Sequence, residues 1–549
     1  MNPRDASSHL GALALYSILT ILSFPHELPN HSSLDLGSFL AWFVPATLII
    51  GIEGIPPARA ARVAFLASLA GHAILFHWFF VVTVVHGGMP AWLGTLAPLV
   101  PAIWVSLFTA LFAWLWSQIG PATRAPVLVG ALLWVSVDWI RGHLLGGFPW
   151  ATLGYALHLD ESLMSWTRWT GVHGLSFVAA VGGLGIGVAW CDRMHGRPGS
   201  SRIARAVGFV VVAHLLGAMI PPVEFPSAET VRIAAIQGNI DQTEKWDAAR
   251  RDRILETYLR LSERAVGAGA EWIVWPETAV PGLIEVDSAL RERITAFARR
   301  SGRVLVIGGT GVEVDPVARR FTAFYDSAFL VDARGVVRDR YDKTQLVPFG
   351  EFVPLRGLLG RFFQALARGL STTDIAPGRA PRVFVVESPD GSGTPLRVGT
   401  PICYELLFPH VVRHFADQGA GVMLAMTNDA WYGRTGAPHQ FLAMSAIRSA
   451  ENGRWMVRAA NTGFSAIVDS GGRVRERSAL FEEAVVVADV PVATSTPPTF
   501  YARHGDVFAG TCLFAAIALF GRTKLGQRRR TKESELPEGR QDRREEDER

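Results

Sequence analysis

The chain has 549 residues, 49% of them hydrophobic and only 19% charged, with 17 Trp and 31 Phe; a mean hydropathy of +0.23 excludes an ordinary soluble domain and puts much of the chain in lipid. The formal charge of +4 is not a nucleic-acid signal, because much of the basic excess lies in short segments between apolar runs, where membrane topology accounts for it. Three cysteines, Cys191, Cys403 and Cys512, imply no disulfide framework and leave Cys403 a free thiol.

Apolar runs at 9–24, 36–52, 62–85, 92–116, 126–140, 171–190 and 207–221 predict about seven membrane spans, and a further run at 507–520 an eighth. The first run lacks a convincing cleavage site and is followed by more spans, so it reads as a helix and not as a signal peptide. If the N-terminus is cytoplasmic, Arg59, Arg62, Arg124, Arg193, Arg197, Arg202, Arg205 and the tail from Arg522 to Arg530 all fall inside. The basic-loop bias then predicts residues 225–500 outside the cytoplasm, with both termini inside. Asp138, the one carboxylate within these runs, has Arg141 a turn away and reads as half of a structural pair. The loop around Gly147, Phe148, Pro149 and Trp150 reads either as an interfacial aromatic belt or as a substrate-facing surface.

The expected organisation is a membrane domain over 1–224, an α/β domain over 225–500, a last span over 501–522 and a charged, disordered cytoplasmic tail over 523–549. Within 225–500, short β-branched runs such as 231–236, 272–275, 304–307, 421–426 and 485–487 alternate with helical patterns at 246–266 and 438–452. That alternation predicts helices packed on sheets.

Three groups capable of chemistry follow predicted strands: Glu277 after Trp275-Pro276, Lys343 after Tyr341-Asp342, and Cys403 in Gly399-Thr400-Pro401-Ile402-Cys403-Tyr404-Glu405. Taken singly each has a structural reading: Glu277 as a turn cap, Lys343 as a surface charge, Cys403 as a small buried hydrophobe. The strand-turn-helix pattern around Cys403 instead suits a nucleophile, with backbone N–H groups for an oxyanion and a helix N-terminus favouring thiolate. The segment 355–370 sets Leu355, Leu358, Leu359, Phe362, Phe363, Leu366 and Leu370 at helical spacing between Arg356, Arg361 and Arg368. It reads as a core-packed helix or as an interfacial lid in the bilayer surface.

Together, Trp275-Pro276-Glu277, then Tyr341-Asp342-Lys343 running into Leu346-Val347-Pro348-Phe349-Gly350-Glu351, then Ile402-Cys403-Tyr404-Glu405 resemble the Glu-Lys-Cys pattern of the nitrilase superfamily. The match is narrower still to the bacterial apolipoprotein N-acyltransferases, through Gln237 to Ile240 with Lys245-Trp246, Thr427 to Gly433, Arg448 with Asn461 to Gly463, His86 to Pro90 and Gly147 to Trp150. Gln345 and Phe441 depart from it, where histidines are frequent.

The resemblance implies a membrane helical bundle of about eight spans with an extracytoplasmic nitrilase-like αββα sandwich. It implies an inner-membrane enzyme that moves an acyl chain from a phospholipid, through a Cys403 thioester, to the α-amine of a diacylglyceryl-cysteine on an apolipoprotein. Glu277 would be the general base, Lys343 the charge beside the oxyanion and the Tyr404 N–H a second donor. Glu351 would orient Lys343, and Glu405 would be structural. Trp246, Phe148, Trp150, Phe362 and Phe363 are candidate substrate contacts. No metal, cofactor or nucleic acid is expected. A membrane-tethered amidase or nitrilase, and a transporter or sensor with an inactive nitrilase-like domain, are the rival readings.

Overall fold

The computed structural model describes residues 3–534 apart from 224, 226–227, 246, 316, 319, 353–373 and 388–392. Among the described residues, six helices are long and apolar enough to cross a membrane: Pro57–Leu75, Ala91–Ile119 (broken at 95–98), Pro126–Gly146, Val172–Met194, Ser200–Met219 and Val507–Gly526. Two shorter apolar helices, Ser7–Leu22 and Phe43–Ile52, complete the bundle. The eight expected runs thus all become helices, two of them short.

Val172–Met194 is the central helix, with 83% of its apolar window buried against 17% for Ser200–Met219. Glycine makes that position possible. A Cβ at Gly183 would sit 2.4 Å from the Trp42 carbonyl oxygen, and one at Gly185 would sit 2.2 Å from the Ala206 Cβ, so these helices approach as closely as small residues allow. Asp138 pairs with Arg141 at 3.2 Å, as the spacing predicts. Arg141 also donates to the carbonyls of Phe148 at 2.8 Å and Trp150 at 2.6 Å, and so fixes the loop that follows its helix.

The second half contains two six-stranded sheets. One runs in the order Ala484–Ala493, Ala228–Gln237, Trp272–Val274, Val304–Asp315, Arg320–Val331, Val337–Asp342; the other in the order Val474–Arg477, Ala466–Val468, Trp455–Ala460, Val422–Thr427, Leu396–Gly399, Phe384–Val386. Alternation along the strands sorts the side chains into layers. In the first sheet Ile273, Leu305 and Ile307 face the helices Arg251–Gly267 and Ser288–Ser301, whereas Val274, Val304 and Val306 share a core with Val398, Val422 and Val457 of the second sheet. Helices Pro409–Asp417 and Ala437–Asn452 close the other side, which makes an αββα sandwich.

All sixteen residues of Ala437–Asn452 are buried, because one side of this helix meets the sheet and the other meets the membrane bundle. Trp150 is 1% exposed, donates its indole N–H to Gln440 Oε1 at 2.7 Å and stacks on Phe441. Arg448 binds Glu451 at 3.1 Å and the Tyr155 hydroxyl at 3.2 Å, and Glu451 accepts the Val172 N–H. The aromatic loop is therefore the joint between the two halves and not a headgroup belt. Trp150 and Tyr155 carry polar tips that need partners when buried, and the helix supplies them.

At the C-terminus the last helix runs unbroken over Val507–Ser534, so the disordered tail expected from 523 is helical to Ser534. Arg, Lys and Gln are good helix formers and continue a helix once it has nucleated.

Candidate active site

Cys403 follows the strand Leu396–Gly399 and opens the short 3-10 helix Cys403–Leu407. Its φ is +46°, a conformation that costs a residue with a Cβ about 1–3 kcal/mol and persists only where the surroundings fix it. Glu405 does the fixing. One of its oxygens accepts the Ile402 N–H at 2.8 Å, and the other accepts the Tyr341 hydroxyl at 2.6 Å, the Thr344 N–H at 2.7 Å and the Thr344 hydroxyl at 2.8 Å. This fully buried carboxylate ties the Cys403 turn to the Lys343 loop. With its oxygens so committed, Glu405 braces the turn against the loop.

Glu405→Ala is therefore expected to orphan several buried donors, at about 1–3 kcal/mol apiece. The variant should melt well below the parent in detergent. An unchanged melting temperature would mean that the two loops are held some other way.

Lys343 lies at the end of Val337–Asp342 and is completely buried. Its Nζ is 2.9 Å from Glu277 Oε1, 3.2 Å from Asp326 Oδ2 and 2.6 Å from Glu351 Oε1. An ammonium has three N–H donors, and here each has a carboxyl partner. Glu351 is held in turn by the Val347 N–H at 2.7 Å. The carboxyl oxygens of Glu277, Asp326 and Glu351 lie within 4.8 Å of one another, a spacing that suits a metal, but the cation among them is the lysine's own.

Burial pushes Glu277 upward, but Lys343, a hydrogen bond with Asp326 and Lys245 outweigh it and hold Glu277 below the ordinary carboxylate range. Asp326 goes the other way, raised well above that range by burial and then by the charge of Glu277. Cys403 is also raised well above the ordinary thiol, by burial first and the Glu277 charge second, with Lys343 and the Asn428 N–H opposing. This corrects the expectation that a helix N-terminus favours thiolate. The first helical turn is a tight 3-10 turn in a dry site, and desolvation dominates, so the thiol needs a base.

Of the candidate residues, Glu277, Lys343, Cys403, Glu351, Tyr404 and Glu405 are gathered in one place. Trp150 lies in the joint, and Phe148 packs edge-on against Phe76 at 5.5 Å. Trp246, Phe362, Phe363 and the whole arm 355–370 lie outside the described residues. Gln345 contributes its backbone N–H to Glu405 at 3.4 Å, and Phe441 lies under the Arg458 guanidinium at 5.1 Å.

Lys245, noted in the sequence only as part of the matched pattern, donates to the Glu277 carbonyl at 2.9 Å. One group escaped the sequence reading: Asp326, in the strand Arg320–Val331. A carboxyl on an inward-facing strand position was the available signal, since it must find a partner.

The bundle also reaches the site. Asn428 to Gly433 carries the N–H aimed at Cys403, the Asp429 carboxylate held by Arg458 at 2.8 Å and the Tyr432 ring. Against this segment stand Trp78, edge-on to Tyr432 at 5.0 Å, and His86, edge-on to Trp431 at 5.4 Å. Asn461 ties it to the segment that follows the strand Ala228–Gln237 by donating to Asn428 Oδ1 at 3.1 Å and to the Ile240 carbonyl at 2.8 Å.

Residues 232–497 match the carbon-nitrogen hydrolase family, and residues 17–185 match the apolipoprotein N-acyltransferase N-terminal domain. The chain is 34% identical to the apolipoprotein N-acyltransferase of Geobacter metallireducens, over 92% of this chain and 93% of that protein. It is 31% identical to the protein of that name from Pseudomonas syringae pv. tomato, over 85% and 90% of the two, and 32% identical to the one from Bradyrhizobium diazoefficiens, over 80% and 81%. Among solved structures, an amidase from Nesterenkonia sp. is similar at 23% identity and a TM-score of 0.35, covering 48% of this chain and 91% of that one.

Proposed function

Since the chain belongs to the apolipoprotein N-acyltransferase family, we propose that it acylates lipoproteins in two half-reactions carried by Cys403. It is a membrane acyltransferase that N-acylates lipoproteins. The observation that carries the mechanistic reading is the meeting of Cys403, Glu277 and Lys343 in one buried site, with Glu277 on the lysine's ammonium.

In the first half-reaction the Cys403 proton passes to Glu277, and the thiolate attacks the ester carbonyl of a phospholipid. The tetrahedral intermediate collapses to a thioester as the lysophospholipid oxygen leaves with the proton from Glu277. In the second, the α-amine of a diacylglyceryl-cysteine attacks the thioester, Glu277 takes the amine's proton, and that proton returns to the departing sulfur. Lys343 has all three N–H groups engaged with carboxyls, so its part in stabilising the oxyanion is the field of its charge. The hydrogen bond to the oxyanion is assigned to the Tyr404 N–H.

A hydrolase could use the same three residues and pass the acyl group to water. Contact of Trp78 and His86 with the segment beside Cys403 favours an acceptor that stays in the bilayer. The decisive experiment incubates the purified protein with phospholipid and seeks, by mass spectrometry, an acyl mass on the peptide containing Cys403. A lipid-treated enzyme that is active but never carries that mass excludes the thioester route.

The basic loops support an orientation with residues 225–500 outside the cytoplasm and both termini inside. A protease confined to the outer face is expected to cleave this domain and spare an epitope after Ser534. The reverse pattern would invert the topology.

A further inference from the structure

Around Lys343 the charges do not balance. Glu277, Asp326 and Glu351 supply three carboxyls against the ammoniums of Lys343 and Lys245, and burial pushes Lys245 itself down to about 8. Glu277 is 6% exposed, Asp326 5% and Lys343 0%, so water screens little of the excess. Turning Cys403 into a thiolate adds another negative charge. Asp429, the next carboxylate along, is occupied by Arg458 and offers no compensation.

The local geometry indicates where a proton resides. Asp326 Oδ2 accepts from Lys343, and the Asp326 carbonyl accepts the Lys343 N–H at 2.9 Å. Its other carboxyl oxygen, Oδ1, is buried and has no hydrogen-bond donor among the described residues. The carboxyls of Asp326 and Glu277 nevertheless take the same Lys343 ammonium and come within 4.8 Å of each other. Two buried carboxylates that close repel each other, which favours a proton on one of them, and the buried Asp326 Oδ1, with no partner among the described residues, is the oxygen open to it. Glu277 faces both Lys343 and Lys245, which favour its ionised form.

We propose that Asp326 is a positioning residue for the acyl transfer: it rests protonated, donates its O–H to Glu277, and thereby leaves Glu277 as the ionised group that accepts the Cys403 proton. The inference rests on the reading of Cys403 as acyl carrier and gives that base a second, silent carboxyl. Asp326 keeps its proton throughout the cycle, and the proton that moves is the one that began on sulfur.

Asparagine mimics a protonated aspartate, with an amide N–H for Glu277 and a carbonyl for Lys343. Asp326→Asn is expected to retain transfer within a few-fold, with the acid limb of its pH–rate profile in place. Asp326→Ala removes the donor, so the acid limb should move up by about one unit, a roughly tenfold loss on that limb that higher pH restores. In the resting enzyme, the infrared difference between wild type and Asp326→Asn should contain the C=O band of a protonated carboxyl. That reading needs neither lipid nor turnover and survives if Ala fails to fold. It also separates this inference from the acyl-carrier reading, which fails on its own if Cys403 never carries an acyl mass. An Asn variant as slow as Ala, an unmoved acid limb in a folded Ala variant, or an ionised-carboxylate band in the difference spectrum would each overturn the proposal.

Discussion

Cys403→Ala is expected to lose acyl transfer by a factor on the order of 10⁴ or more while still assembling in the membrane. Losses of that size follow removal of a covalent nucleophile, because the remaining groups only bind and polarise the substrate. The fold should tolerate the change. Alanine pays the same penalty as cysteine at a φ of +46°, since both carry a Cβ, and the Glu405 bonds that hold the turn do not involve the sulfur. Cys403→Ser should be nearly as inactive. Burial already pushes the thiol well above its ordinary value, and an alcohol starts from a far less acidic position than a thiol. Transfer assays on the detergent-solubilised variants, together with their melting curves, decide the matter. Near-normal transfer by the alanine variant would end the covalent mechanism.

Lys343→Met should inactivate the enzyme and destabilise it as well, by about 3–5 kcal/mol near neutral pH, the usual cost of stranding buried charges by removing one partner. The sign of its pH dependence follows from the site. In the parent, Lys343 is the strongest opponent of burial at Glu277 and at Glu351, and it also lowers Asp326. Without it, burial and mutual repulsion raise all three carboxyls above their unfolded values. A raised carboxyl contributes stability that is present below the unfolded pKa and lost as pH rises through the folded pKa. The variant should therefore regain stability toward acid, whereas in the parent the depressed Glu277 contributes in the opposite direction. Melting temperatures from mildly acidic to mildly alkaline pH test this. A Lys343→Met variant as stable as the parent at every pH would show that the three acids do not depend on that ammonium.

Much of the fold is visible in the order of residues. Apolar runs of membrane length mark the helices, because a backbone in lipid has few other ways to satisfy its hydrogen bonds. Strands with both faces buried, such as Val422–Thr427, read as continuous apolar runs. The edge strand Val474–Arg477, exposed along its length, carries no such pattern and was not legible. Glu277, Lys343 and Cys403 each follow a strand, where loops present chemistry, but singly each also had a structural reading, and only the resemblance to a known pattern joined them.

What the sequence by itself determined was the inventory: a membrane-spanning half, an α/β half, and a cysteine with a candidate base and a cation. Only the tertiary structure decided how these share charge. Asp326, distant in sequence from Glu277, became its neighbour on the Lys343 ammonium through the pairing of strands. Trp150 became a buried joint, and the Cys403 thiol was driven toward its protonated form. Those outcomes depend on desolvation and on distances across the fold, which local sequence does not encode: a carboxyl or a thiol is ordinary in water and changes character only once the surrounding charges and the missing water are fixed in space.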